Sequence, residues 1–323
     1  MPLIDQTSYT QSPFLLINGH FETIYPALLR KVSGVSYRRE RIHTPDDDFL
    51  DLDWSETGGR DLVIISHGLE GDASRPYVRG MVRAVNSWGF DALAWNYRGC
   101  SGEVNKQRRF YHSGSTDDLN LVVKHVTDKK RYGKLYLVGF SLGGNITLKF
   151  LGELGNTLPG NIEKAVVFSV PLNLYTSCLK ISEPANFLYS KRFLKSLIGK
   201  IRSKAKLRDD LSTANIEKIK TLIEFDDRYT APLHGFDDAI DYYSQCSSIG
   251  FLDRIAIPTL IVNAKNDPFL SADCYPVERL KDHPMVYFEM PHKGGHVGFS
   301  VFGNPFYWSE QRVITFLMEK NIY

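Results

Sequence analysis

The sequence predicts an α/β fold: an eight-stranded, mostly parallel sheet with helices on both faces and a helical cap inserted after the sixth strand. Short apolar runs alternate with amphipathic stretches, which is the βαβ rhythm of a covered parallel sheet. The interval between the strands that end near Ser169 and begin near Thr259 is too long for one crossover helix, so it must hold extra structure. The 323 residues, 43% hydrophobic and 24% charged, are sufficient for one large core.

The strands are assigned to short apolar runs, and the first two are joined by a Pro-Asp-Asp-Asp turn that predicts an antiparallel hairpin. The predicted strands cover residues 37–43, 49–54, 62–66, 91–97, 135–140, 165–169, 259–263 and 286–289. Amphipathic stretches between them predict helices at 77–88, 116–130, 145–154, 272–281 and 307–320. The chain is therefore divided into a first core part (1–170), a helical cap (171–250) and a second core part (251–323).

The cap contains an amphipathic basic helix. Apolar residues recur there at three- and four-residue spacing, at Phe193, Leu194, Leu197, Ile198, Ile201 and Ala205. Basic residues occupy much of the remainder, at Lys191, Lys195, Lys200, Arg202, Lys204 and Lys206. Two interpretations remain open. The helix packs its apolar stripe on the main domain with solvated basic residues outside, which is the default for surface helices, or it makes a peripheral contact with an anionic membrane.

A lone serine lies at the turn between the predicted strand 135–140 and the helix that follows it. Ser141 is the centre of Gly139-Phe140-Ser141-Leu142-Gly143, and one large class of hydrolytic enzymes keeps its nucleophile at such a turn. Glycines flank it because side chains would obstruct so sharp a turn. Ser141 is therefore the predicted nucleophile, although the same pentapeptide also occurs in ordinary glycine-rich loops.

The predicted acid is Asp267. A serine hydroxyl is a poor nucleophile at neutral pH, so it needs a base, and the base needs a third group that holds its tautomer. Asp267 lies just beyond the strand 259–263, and the carboxyl ends of parallel strands are where such sheets carry functional groups. Its neighbour is Asn266, so this loop offers no second carboxylate. The alternative role is that of a turn aspartate before Pro268.

Two histidines, His292 and His296, follow the last predicted strand. His296 is the predicted base, because nearby glycines permit a ring that reaches over the sheet edge toward Ser141. The His-x-x-x-His spacing also suggests a metal site. Two glycines between the histidines argue against a helix that presents both rings on one face, and no glutamate follows His292.

Two backbone amides complete the predicted site. The N–H of Leu142 lies at the first turn of a helix, where its partial positive charge faces the developing oxyanion. The second donor is expected in the loop after the third strand, and the glycines of Ser66-His67-Gly68-Leu69-Glu70-Gly71 assign it to the Leu69 N–H. His67 is interpreted as a loop-shaping residue that hydrogen-bonds neighbouring backbone.

The chain resembles the α/β-hydrolase superfamily, and more narrowly its YheT-like branch (AB hydrolase 4), which includes bacterial esterases, mammalian ABHD1/2/3-type lipases and yeast medium-chain ester synthases. The resemblance runs from about Phe14 to Phe316 and implies Ser141 as nucleophile, Asp267 as acid and His296 as base. The motifs that carry it are His67-Gly68-Leu69-Glu70-Gly71, Asn96-Tyr97-Arg98-Gly99-Cys100-Ser101-Gly102, Gly139-Phe140-Ser141-Leu142-Gly143-Gly144, Gly295-His296-Val297-Gly298-Phe299, Asn18-Gly19-His20-Phe21-Glu22-Thr23-Ile24, Phe225-Asp226-Asp227 and Thr230-Ala231-Pro232-Leu233-His234-Gly235-Phe236.

These residues predict a serine carboxylic-ester hydrolase that acts through an acyl-enzyme on small to medium acyl esters or lipids. An acyltransferase that uses the same triad, an amidase or peptidase, and a non-catalytic ligand-binding homologue remain as alternatives. No metal or cofactor is expected, because the protein supplies nucleophile, base and oxyanion donors. Apolar cap residues are interpreted as an acyl pocket or, with slight preference, as cap core: Phe187, Leu188, Phe193, Leu194 and Phe225.

Composition limits the partners and the location. A net charge of +2 gives no argument for nucleic acid, and the four cysteines lack the spacing of a zinc site or a disulfide framework. The first residues carry no basic region before an apolar stretch, and no run approaches the roughly 18 apolar residues of a membrane span. We therefore expect a cytoplasmic protein, at most peripheral to a membrane, with a small-molecule ester or lipid substrate. The oligomeric state stays open.

Overall fold

The computed structural model describes residues 3–4, 6–10 and 12–319. Nine strands in these ranges form one sheet, in the order β1-β9-β8-β7-β6-β4-β5-β3-β2 once they are numbered along the chain. The strands are β1 (Leu3–Ile4), β2 (Arg38–His43), β3 (Phe49–Ser55), β4 (Leu62–Ser66), β5 (Asp91–Asn96), β6 (Leu135–Phe140), β7 (Ile162–Phe168), β8 (Thr259–Val262) and β9 (Val286–Glu289).

The predicted sheet is confirmed, with one strand more than expected. β2 pairs antiparallel with β3, and β3 with β5, whereas all other neighbours run parallel. The additional strand β1 has only two residues, paired parallel with Phe288 and Glu289 of β9. A pair of residues carries no readable alternation, so the strand pattern was too short to be found in the sequence.

The described helices alternate with the strands as predicted. They are α1 (Gly19–Leu29), α2 (Pro76–Ser87), α3 (Thr116–Asp128), α4 (Leu142–Leu154), α5 (Leu174–Ile181), α6 (Phe187–Ala205), α7 (Leu222–Phe225), α8 (Ala231–His234), α9 (Ala239–Cys246), α10 (Val277–Leu280) and α11 (Trp308–Met318). None of these helices has the length and apolar character needed to cross a bilayer.

Two helix predictions need correction. The expected helix at 272–281 is broken into a 3₁₀ turn, Ala272–Cys274, and the short α10, because Pro276 between them has no N–H to donate. The expected helix at 307–320 ends at Met318 in α11, and Lys320 lies outside the described residues. Helix α1 was not predicted at all.

The core lies on both faces of the sheet. Alternate residues of the central strands point to opposite sides, so that Ile64 and Leu137 pack with α3 and α4, while Val63 and Val138 pack with α2 and α11. All four of these strand side chains have at most 1% of their surface exposed. Strands β4, β6 and β7 are buried at the centre of the sheet. The loops that follow these strands meet at the carboxyl end of the sheet.

Helices α5 to α9 lie between β7 and β8, and we call residues 169–258 the insertion. Its apolar side chains form two small clusters of their own, one of which includes Leu194, Ile201 and Phe225. The apolar stripe of α6 is buried, but it packs mainly against other side chains of the insertion and not on the main domain as expected. Two basic residues of α6 also point inward. Lys200 Nζ lies 2.8 Å from Glu70 Oε1, and Lys204, which is 1% exposed, donates to Asn105 Oδ1 at 2.7 Å.

Candidate active site

Ser141 occupies the turn between β6 and α4, in a backbone conformation that few side chains adopt. Its φ of 54° and ψ of −119° place a non-glycine residue at positive φ, which stores strain and lifts the side chain out of the sheet edge. The flanking glycines are required sterically. A Cβ at Gly139 would lie 2.6 Å from the Gly143 carbonyl oxygen, and one at Gly143 would overlap the carbonyls of Ser66 and His67.

The structure brings Ser141, His296 and Asp267 together in one hydrogen-bonded array. His296 Nε2 lies 2.9 Å from Ser141 Oγ, and His296 Nδ1 lies 2.9 Å from Asp267 Oδ2 and 3.1 Å from Oδ1. Asp267 is buried and its Oδ1 also accepts the Phe269 N–H at 2.9 Å. The ring is therefore oriented with Nδ1–H toward the carboxylate and with Nε2 free to accept the serine proton.

The loops that carry Asp267 and His296 are held by α1. The buried Glu22 carboxylate accepts hydrogen bonds from Asn266 Nδ2 at 2.6 Å and from the Gly294 N–H at 2.9 Å. Thr23 Oγ1 accepts the His296 N–H at 2.8 Å. Sequence reasoning missed this role, although the segment 18–24 was one of the motifs that carried the resemblance. The sequence did offer a signal for this helix. Asn18 is a typical N-cap residue, and the polar pair Glu22 and Thr23 follows it within the first turns.

The predicted oxyanion donors lie beside the serine. Leu69 and Leu142 line the same cavity as Ser141 and His296, and a Cβ at Gly68 would lie 3.3 Å from the Ser141 Cβ. The amide of Leu142 is the first of α4, so it has no acceptor within that helix. The Leu142 N–H thus lies at a helix N-terminus next to the serine, where negative charge is stabilised, whereas Leu69 belongs to the turn after β4 and lines the same cavity.

His67 and His292, the two histidines considered beside His296 for the site, lie outside the hydrogen-bonded array. His67 is buried, its Nδ1–H donates to the Gly68 carbonyl at 2.8 Å, and its Nε2 accepts the Tyr97 N–H at 3.4 Å. Burial lowers the pKa of His67 to about 4, so its ring is neutral at physiological pH. His292 is exposed to solvent. The backbone contacts of His67 match its predicted loop-shaping role.

A cavity of about 100 Å³ opens between the sheet edge and the insertion. Its walls are mostly apolar. The core contributes Leu69, Leu142, Phe269 and Leu270 next to Ser141 and His296, and the insertion contributes Leu174, Ile181, Phe193, Leu197, Leu222, Tyr242 and Tyr243. Cavities of roughly 150 Å³ in protein interiors accept benzene-sized groups, so this space suits a short acyl chain.

Most residues suggested for an acyl pocket lie elsewhere. Only Phe193 of the five lines the cavity. Leu194 and Phe225 are buried in the insertion's own core, as the preferred interpretation held. Phe187 and Leu188 are 60% and 74% exposed, at the first turn of α6, and that surface position contradicts both interpretations.

One carboxyl group of the insertion also lines the cavity. Asp226 and Thr230 are the ends of a π-helical turn, a rare conformation that occurs frequently at functional sites. The Asp226 carboxyl accepts hydrogen bonds from Thr230 Oγ1 at 2.5 Å and from the Tyr243 hydroxyl at 2.6 Å. No lysine or arginine is among the described residues that line the cavity. Because burial dominates, the pKa of Asp226 is raised to about 6.

We expect Asp226→Asn to stabilise the protein at high pH only. When the pKa of an acid is higher in the folded than in the unfolded protein, the folded state is favoured while that acid is protonated. The free energy of unfolding therefore falls as the pH rises from about 4 through 6, where Asp226 loses its proton. A shift of about two pKa units corresponds to at most about 3 kcal/mol in the free energy of unfolding. Urea unfolding should therefore give wild type and Asp226→Asn equal stability at pH 4, with the variant more stable at pH 8.

The matched control is Asp227→Asn, since the neighbouring carboxyl is exposed. For Asp227→Asn, the free energy of unfolding should differ between pH 4 and pH 8 by nearly the same amount as it does for wild type. Equal destabilisation of Asp226→Asn at both pH values would contradict the assignment of a raised pKa and would point to lost packing or hydrogen bonding instead.

Comparison with known proteins places the chain among ester-cleaving enzymes of the same fold. The family model described as "Serine aminopeptidase, S33" matches residues 58–275. The "Putative esterase YheT" of Escherichia coli is 36% identical over 307 residues, which cover 92% of this chain and 89% of that protein. Human "Phospholipase ABHD3" is 29% identical over 294 residues, covering 87% of this chain and 71% of the relative.

A solved structure shows the same fold at low sequence identity. The Pyrococcus furiosus esterase Pf2001 superimposes with a TM-score of 0.58 and 18% identity, covering 89% of this chain and 97% of that one. The family match includes Ser141 and Asp267, and His296 lies beyond its last matched residue.

Proposed function

Because the chain belongs to the α/β-hydrolase superfamily, in the family whose model matches residues 58–275, we propose that it is a serine carboxylic-ester hydrolase acting on small to medium acyl esters or lipids. The observation that carries the proposal is the continuous hydrogen-bonded array from Asp267 through His296 to Ser141, at the mouth of an apolar cavity. The relatives named esterase and phospholipase support the same reaction class.

Acylation begins with proton transfer. His296 Nε2 takes the Ser141 hydroxyl proton as Oγ forms a bond to the ester carbonyl carbon, and Asp267 stabilises the resulting imidazolium through its Nδ1–H. The carbonyl oxygen becomes an oxyanion that the Leu69 and Leu142 amides stabilise. The C–O bond to the alcohol then breaks, and His296 returns its proton to the departing alcohol.

Deacylation repeats these steps with water. His296 takes a proton from water as the water oxygen attacks the acyl carbon, and the bond to Ser141 Oγ breaks as His296 protonates the serine. The free acid leaves and the enzyme is restored. Every group in this cycle belongs to the protein, so the mechanism draws on no metal or cofactor. We propose that the insertion serves as the cap, because its side chains close the acyl side of the cavity.

Reaction with a fluorophosphonate tests the nucleophile. The reagent should label wild type at Ser141, as located by peptide mass spectrometry, and should leave Ser141→Ala unlabelled. Ser177→Ala is the matched control, because Ser177 lines the same cavity but its hydroxyl contacts Cys274 Sγ at 3.2 Å rather than a histidine. That variant should label fully. Absence of labelling in wild type would favour a non-catalytic homologue.

Product analysis separates hydrolysis from acyl transfer. With p-nitrophenyl butyrate in buffer containing ethanol, we expect butyric acid to exceed ethyl butyrate, because the cavity walls are mostly apolar and water is in large molar excess over the alcohol. Ethyl butyrate as the main product would identify an acyltransferase. Faster turnover of an aminoacyl p-nitroanilide than of the ester would identify a peptidase.

A further inference from the structure

Helix α1 has the reverse of the usual orientation for a surface helix. Its polar residues Glu22 and Thr23 are buried against the loops of the site, whereas its apolar residues face outward. Surface helices of globular proteins ordinarily bury the apolar stripe and expose the polar one. Outward-facing apolar residues at positions 21, 24 and 28 lie on one side of the helix, and position 17, just before the helix, is also apolar and exposed. They are Ile17, Phe21, Ile24 and Leu28, which we call the α1 stripe.

The α1 stripe is part of a wider apolar surface. Phe14 and Leu15, just before the helix, are 82% and 62% exposed. Phe187 and Leu188, at the start of α6, are also exposed. The two segments adjoin, because the His20 ring stacks on Tyr189 with centroids 5.8 Å apart and its Nδ1 lies 3.3 Å from the Tyr189 hydroxyl.

This surface lies next to the site. Tyr189 packs edge-on against Phe269 with ring centroids 4.7 Å apart, and Phe269 contacts the His296 ring at 4.3 Å. Phe269 also lines the cavity. Two side chains, Tyr189 and Phe269, therefore lie between the exposed apolar surface and the histidine of the array.

The charges around the surface have one sign. Helix α6 contains no acidic residue, and its exposed cations are Lys191, Arg192, Lys195 and Arg202, followed by Lys206 just after its end. Lys191 Nζ lies 5.6 Å from the Phe187 ring centroid, so cations and apolar side chains are adjacent. In residues 12–31 the single acid is the buried Glu22. The exposed Glu183, just before α6, is paired with Lys180 at 2.8 Å.

We propose that the α1 stripe, with Phe14, Leu15, Phe187 and Leu188, docks onto the surface of an anionic lipid layer. Apolar side chains beside lysines and arginines are the features that insert at the boundary between headgroups and acyl chains and attract anionic lipids. A second copy of the chain is a poorer partner, because it would bring two like-charged α6 helices together. The docking goes beyond the proposed function and does not depend on turnover.

Vesicle sedimentation tests the docking with the full chain carrying Ser141→Ala, so that no lipid is consumed. The protein should sediment with vesicles of equal parts phosphatidylcholine and phosphatidylglycerol, and much less with phosphatidylcholine alone. Adding Phe187→Ser with Leu188→Ser should lower the partition coefficient by about tenfold or more, since two apolar side chains are removed. Adding Ile17→Ser with Phe21→Ser should do the same.

The matched control is Trp88→Ser. Trp88 is 56% exposed at the end of α2, close to the start of β5 and thus at the edge of the sheet opposite to the site. This variant should bind as the parent does. Lys191→Glu with Lys195→Glu should remove the preference for anionic vesicles. Circular dichroism melting of each variant verifies folding, and an active-serine version of each should hydrolyse p-nitrophenyl acetate normally.

Three outcomes would overturn the docking. They are failure of the parent to sediment with either vesicle, binding that the two apolar double variants leave unchanged, and a vesicle-independent dimer that those variants dissociate. None of these results bears on ester hydrolysis, which the fluorophosphonate reaction measures separately.

Discussion

Ser141→Ala is expected to lower kcat for ester hydrolysis by about 10⁴-fold or more, with KM little changed. The substitution removes the atom that forms the acyl-enzyme, while the cavity that binds the acyl group stays intact. Alanine is also tolerated sterically, because it only deletes an oxygen that contacts His296. Steady-state hydrolysis of p-nitrophenyl butyrate by purified protein measures the effect.

Ser177→Ala is the control for this loss, since Ser177 is a second hydroxyl in the same cavity without a histidine partner. It should retain most of the activity. The strained φ of 54° at Ser141 persists in the alanine variant, so the free energy of unfolding should change little. Retained turnover in Ser141→Ala would mean that water attacks the ester directly or that another residue is the nucleophile.

Asp267→Asn is expected to lower kcat by about 10³- to 10⁴-fold. The amide cannot compensate the charge of the imidazolium, and an NH₂ group turned toward Nδ1 favours the tautomer that carries the proton on the wrong nitrogen. Asn266 cannot replace Asp267, because its Oδ1 accepts the Gly295 N–H at 3.0 Å and its Nδ2 donates to Glu22. Measuring kcat as a function of pH distinguishes the two causes of a loss. A perturbed base changes the shape of the pH profile, whereas misfolding lowers kcat at every pH.

Asp241→Asn is the matched control for the acid. Asp241 is a partly buried residue of α9 that accepts hydrogen bonds from Gln245 Nε2 at 2.8 and 2.9 Å and does not line the cavity. Its substitution should leave turnover within about twofold of wild type, because it contacts no member of the array. Normal turnover in Asp267→Asn, with a large loss in Asp241→Asn, would exchange the two assignments.

The parts of the site that follow a strand could be predicted from the sequence. Ser141 and Asp267 each lie directly after a short apolar run, and local chain geometry dictates what such a turn can present. The proposed oxyanion donors, Leu69 and Leu142, would act through their backbone, so their place in a glycine-containing turn was sufficient to predict them. The central strands were predictable for the same reason, because they are buried on both faces and read as continuous apolar runs.

The parts that depend on distant contacts could not be predicted. The role of Glu22 could not be derived from its motif, because its partners Asn266 and Gly294 lie 244 and 272 residues away in the chain. Asp226 reaches the cavity through the packing of the insertion, which its local sequence does not specify. Lys200 and Lys204 looked like solvated residues of an amphipathic helix, yet carboxylate and carbonyl acceptors of the core draw them inward. The same helix exposes Phe187 and Leu188, which a pattern of apolar residues alone places in the interior.

The bond from the Gly294 N–H to Glu22 joins positions 272 residues apart, and it has a consequence for synthesis of the chain. The ribosome completes Ser141 and its turn more than a hundred residues before His296, and the loops around Asn266 and Gly294 that contact α1 are also made after Ser141. A nascent chain therefore carries the serine without its base, and it also leaves the carboxylate of Glu22 without the Asn266 and Gly294 donors. Esterase activity should therefore appear only once the segment that carries Gly294 and His296 has been synthesised and has folded against α1.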